Sequence, residues 1–182
     1  MPLFSLKAEK FLYFGAGAIL AAILILFVPW AEFIRFREAP PEFLRLHWHG
    51  GWGGTGDIWI YPNDSYRVRH YDSHSGATTK DRSGKKPGLF KSVVALVDSQ
   101  NAWKITTESL NAEVEDLTPK GLVIGVSDAK HTFLELRLKH RMLVADFYAA
   151  DSFAKDLPNA HQLKAFSAIE TAFFEVNALT EN

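Results

Sequence analysis

The 182-residue sequence predicts an α+β protein: one N-terminal transmembrane helix, then a two-layer domain of an antiparallel six- or seven-stranded sheet with two amphipathic helices. Three observations carry this expectation. Residues 11–30 form an uncharged apolar run. Beyond residue 42, apolar and polar side chains alternate with a period of two, as in half-buried strands. Two later stretches, 89–99 and 158–179, instead repeat apolar residues at three- and four-residue steps, as helices do.

The apolar run "FLYFGAGAILAAILILFVPW" follows a short tail, residues 1–10. At 1.5 Å per residue, about 20 helical residues cross the ~30 Å hydrocarbon core. Tyr13 and Trp30 are amphipathic rings suited to its two interfaces. A cleaved signal peptide fits less well. Its apolar segment is usually ~7–15 residues, and "FVPWAEF" holds no small-x-small cleavage site. Gly17 and Ala21 lie four apart, a spacing that lets a second helix approach closely in lipid. Lys7 and Lys10 precede the run while Arg35, Arg37 and Arg45 follow it, so the charge rule is nearly balanced. A short lysine-bearing tail favours a cytoplasmic N-terminus and a periplasmic or outside domain. Residues 31–42 read as an interfacial segment and linker, closed by Pro40-Pro41, and residues 43–182 as the soluble domain.

"FLRLHWH", "DIWIY" and "SYRVRHY" predict three antiparallel strands within 43–72, with "PNDS" (62–65) as the turn between the last two. Residues 72–88 are polar, glycine-rich and basic, and predict a long exposed loop with Lys80, Arg82, Lys85 and Lys86. Such a loop suits a solvated connection, or contact with anionic lipid or an acidic partner surface. A helix is predicted over 89–99 from Phe90, Val93, Val94 and Val97. "NAWKITTE" is a candidate strand, and residues 109–121 read as an acidic, irregular stretch holding at most a short helix. Strands are expected at "LVIGVSD", "HTFLELRLKH" and "RMLVADFYA", then a final helix with the stripe Leu163, Phe166, Ile169, Phe173 and Val176. The pattern strand-strand-strand-helix thus occurs twice.

"HWHGGWGGTGD" (47–57) holds a literal G-x-G-x-x-G at Gly51, Gly53 and Gly56. The dinucleotide fingerprint needs a helix after its last glycine, whose N–H groups face the pyrophosphate. Here "DIWIYPNDS" follows, β-rich and then a turn, so the stretch reads as a hairpin connection in which glycine accepts positive φ. His47 and His49 share one strand face and, with His70, are weak metal candidates; Arg45 on the same face opposes a cation, and His70 is expected on the core side. "GVSD" fits only half of a nucleophile-elbow motif and lies at a strand end. Glu113, Glu115 and Asp116 read as a solvated acidic segment. Asn63 begins a formal glycosylation sequon inside the "PNDS" turn. Trp52, inside the glycine stretch, suits a protein contact or the membrane interface.

Composition narrows the function classes. Net charge is −1, so no basic field draws the chain to nucleic acid. The absence of cysteine excludes disulfides, thiolate metal sites and a thiol nucleophile. With no complete nucleophile, metal or phosphate motif, the expectation is a non-catalytic, cofactor-free, single-pass bacterial membrane protein. It would be an accessory or assembly subunit of a larger membrane complex, such as an energy-transducing, respiratory or photosynthetic one. Its expected partners are membrane lipid and other membrane-protein subunits, through Gly17, Ala21, Trp30, Trp52 and the basic stretch. The alternative is a membrane-tethered sensor or ligand- or metal-binding module.

Overall fold

Alternation in "FLRLHWHG" has a direct consequence: in β1 (Phe43–Gly50), Leu44, Leu46 and Trp48 are buried while the residues between them are not. The computed structural model describes residues 42–51, 54–119, 126 and 128–179. Gly17, Ala21, Trp30 and Trp52 lie outside these residues, as does most of the expected strand "LVIGVSD". The described residues belong to a compact unit that begins at Pro41. Among them, no helix is long and apolar enough to cross a membrane.

Six strands form one antiparallel sheet in the order β4-β3-β2-β1-β5-β6. They are β1, β2 (Thr55–Ile60), β3 (Ser65–Tyr71), β4 (Thr78–Lys85), β5 (Lys130–Leu138) and β6 (Arg141–Tyr148). The helices are α1 (Leu89–Ser99), α2 (Thr107–Leu117), α3 (Ala150–Asp156) and α4 (His161–Ala178), with a 3-10 turn at Ala102–Lys104.

One face of the sheet meets the helices. Ile58, Ile60, Val68, Leu134, Leu136 and Leu143 join the buried residues of β1 against Val93 and Val97 of α1 and the stripe of α4. All five expected stripe residues of α4 are buried. At roughly 1.5–3 kcal/mol per buried large side chain, that stripe contributes on the order of 10 kcal/mol. Gly56 makes room for the largest core residue: a Cβ there would run into the Trp48 ring and the Arg69 carbonyl. Gly50, Gly51 and Gly54 have positive φ, and β2 follows them directly. The "GWGGTG" stretch therefore leads into a strand and offers no helix N-terminus to a phosphate.

The turn at 62–65 does two jobs. Asn63 Oδ1 accepts from the N–H and hydroxyl of Ser65. Asp64, at φ 65°, reaches across to accept from the N–H groups of Gly88 and Phe90 and so caps α1, which lacks a capping side chain of its own.

Five sequence expectations are corrected. Residues 78–85 are the edge strand β4 and not a loop; β4 pairs with β3, and its exposed, charged side chains suit an edge that must resist further pairing. The first half of the domain therefore has four strands before its helix. "NAWKITTE" is no strand, because the 3-10 turn and a capping box between Thr106 and Ser109 start α2 there. Residues 109–117 are helical throughout, and the helices number four among the described residues, not two. Glu113 is not a bystander in a solvated segment: its carboxylate accepts from the N–H groups of Gln162 and Leu163, capping α4.

Candidate interaction face

The second face of the sheet carries no described helix. Register places its outward residues in rows that cross the strands. One row runs Asp81, Arg69, Asp57, His47, Phe133, Asp146 from β4 to β6. The next runs Ser83, Arg67, Trp59, Arg45, Glu135, Val144. In the first row acid and base alternate from Asp81 to His47, and in the second Arg45 faces Glu135, so these cross-strand neighbours attract.

Asp57 is the hub. Its side chain is only 8% exposed although it points away from the helices. Arg45 donates Nε and Nη2 to Oδ1 at 3.1 and 2.8 Å, His47 Nδ1 lies 3.1 Å from the same oxygen, and Tyr71 Oη donates to Oδ2 at 2.7 Å. A carboxylate only accepts, so His47 carries its proton on Nδ1. Burial alone pushes the Asp57 carboxyl up. The hydrogen bonds from His47, Tyr71 and Arg45, with the Arg45 charge, outweigh that and hold it at about 2. A carboxylate so saturated and so acidic is a poor proton acceptor at neutral pH. Its role is to fix Arg45, His47 and Tyr71 in place.

Arg45 also approaches Glu135 at 3.8 Å and lies over the Trp59 ring, 4.7 Å from its centroid. Glu135 is bound in turn by Arg137 at 2.7 Å, and Arg67 grips Asp81 through two nitrogens. Phe43 tilts against Trp59 at 5.2 Å, and Trp59 stacks over Tyr61 at 6.4 Å. Near β6 the character changes. Met142, Val144 and Tyr148 are 58, 40 and 42% exposed, all on this face. Asp146, between them, is held by His131 at 2.8 Å and by Thr107, which also accepts the outward Asp146 N–H at 3.0 Å. Thr107 thus plugs part of the β6 edge.

The three histidine candidates are not gathered. His47 and His49 do share the open face. His49 is exposed beside His131, with ring centroids 5.0 Å apart, and burial followed by the charges of His131 and His47 lowers its pKa. His70 points to the helix side, edge-on to Trp48, with Asn177 at 3.1 Å. No group of three or more His, Asp or Glu among the described residues is arranged to hold a metal ion. Lys80 and Arg82 stand opposite His70 and Val68, so they share the helix side of β4, while Lys85 closes that strand and Lys86 follows it. Sequence reasoning missed Asp57 and the trio Met142, Val144 and Tyr148. Period-two alternation in "DIWIY" and "RMLVADFY" held the signal, once strand direction was known.

No protein-family model matches the chain, and no curated protein matches it.

Proposed function

We propose that the chain is an accessory or assembly subunit of a larger membrane complex, anchored by residues 11–30 and docking another protein on its open sheet face. The observation that carries this reading is the exposed trio Met142, Val144 and Tyr148 beside a pre-ordered arginine and aromatic array. Protein interfaces are enriched in aromatic residues, methionine and arginine and depleted in lysine. The two central rows hold three arginines, a tryptophan and a phenylalanine, and no lysine. Ordering these side chains before association lowers the entropy that binding must overcome. Gly17 and Ala21 add a surface for helix packing in lipid. The role is structural and needs no cofactor.

The test is extraction in mild detergent through a C-terminal tag, followed by native electrophoresis. Wild type is expected in an assembly with a constant set of chains, and Val144→Asp is expected to release a folded lone subunit. A wild-type chain that always migrates alone, or an assembly indifferent to Val144→Asp, would overturn the reading.

A further inference from the structure

The two ends of the sheet differ in charge. Chain direction puts the start of β1, the turn at 61–64, the end of β4 and the β5–β6 turn at one end. Glu42 and Phe43, the first described residues, lie there. This end carries Lys85, Lys86 and Lys139, all exposed. Three acids lie there too, each engaged in a structural bond and still anionic, with Asp64 in the field of Lys85 and Lys91. Glu42 accepts from the Lys139 N–H, Asp64 caps α1, and Asp98 accepts from Trp103 and Arg141. Phe43, Tyr61 and the exposed Met142 border the same end on the open face. The opposite end carries Asp72, His74 and Asp128, and also Lys130, which lies 3.4 Å from the Glu170 carboxylate.

We propose that this end, with Lys85, Lys86 and Lys139 as its cationic contacts, lies against an anionic phospholipid surface. The inference rests on the proposed anchor, because a span ending near residue 30 leaves a tether of about a dozen residues to Phe43. Lysine stems can lie along lipid while their ammonium groups meet phosphate, and tyrosine sits at the boundary between apolar and wet layers. Each lysine near an anionic surface shifts the contact equilibrium about fivefold, so three give on the order of 100-fold at low salt. Contact here leaves the face of Val144 and Tyr148 projecting to the side, open to a protein partner.

The absence of cysteine allows a single spin label without background. The full chain is placed in nanodiscs of phosphatidylcholine alone or with phosphatidylglycerol added. A nitroxide on His140→Cys, in the β5–β6 turn, is expected to lose accessibility to an aqueous nickel quencher several-fold when phosphatidylglycerol is present. High salt should reverse this, and the triple variant Lys85→Glu, Lys86→Glu, Lys139→Glu should abolish it. A label on Ser73→Cys, at the far end, should not respond. Equal accessibility of the His140 site in the two lipids overturns the proposal, while retention in the discs leaves the anchor standing. A chain that elutes free of the discs ends the anchor reading, and flotation of that chain with phosphatidylglycerol vesicles then decides the lysine contact separately: no flotation overturns it.

Discussion

Asp57→Asn removes the charge at the centre of the open face while keeping its volume. The carboxyl is held at about 2 against an ordinary 3.8. That gap corresponds to about 2 kcal/mol of stability at neutral pH. The Asp57 side chain is 8% exposed, and solvent screens its bonds only in part, through Arg45 and His47 at 27% and 34% exposure. The pH window follows from the sign. The folded carboxyl is more acidic than the unfolded one, so its contribution is complete well above pH 4 and is lost as pH falls from about 4 towards 2. Asparagine can still accept from Arg45, but its amide hydrogens would face the donors of Arg45, His47 or Tyr71. Chemical unfolding of the full chain in detergent, followed by tryptophan fluorescence, should show Asp57→Asn less stable by about 2 kcal/mol at neutral pH. For a domain of this size the melting temperature should fall by roughly 5–10 °C. The difference should close as pH falls towards 2. A variant within about 0.5 kcal/mol of wild type at neutral pH, or a gap that does not change with pH, would refute the reasoning.

Two further substitutions probe the other layer. Gly56→Ala forces a methyl group into the Trp48 ring and the Arg69 carbonyl, and should cost about 2–3 kcal/mol; a melt matching wild type would show that β2 can shift freely. Glu170 is buried, and burial raises its pKa, partly countered by a 2.6 Å hydrogen bond from Thr132 and by the Lys130 charge. A raised folded carboxyl makes the wild type lose stability as pH rises from about 4.5 through the folded value. Glu170→Gln removes that loss, so its stability relative to wild type should grow between pH 4 and 7; a constant difference would contradict this assignment.

The parts of the fold readable in the sequence were those whose periodicity reports burial on one side. β1, β2 and β3, helix α1 at Leu89–Ser99 and the stripe of α4 all have a helix-facing side that differs sharply from the other. β4 was not readable, because as an edge strand beyond the helices it buries almost nothing and "TTKDRSGK" alternates only polar with polar. "NAWKITTE" misled because Ile105 and two threonines favour a strand locally. Their real partners, the Thr106–Ser109 capping box and the Thr107–Asp146 bond, depend on residues far apart in sequence or on a small cap easily overlooked. The same limit hid the centre of the open face. Arg45 and His47 could be assigned to one side of β1, but only the pairing of His47 with Asp57 and of Arg45 with Trp59 brings those groups together. Met142 and Val144 read as ordinary strand residues, since alternation says which residues share a face and not which face is covered.

The most direct test of protein docking on the uncovered sheet face is site-specific photocrosslinking in intact cells. A photoreactive residue replaces Val144 in one strain and Lys164, exposed on α4, in another. The account predicts a discrete adduct with one partner protein from position 144 and none from position 164. No adduct at 144, or the same adducts from both positions, would contradict it.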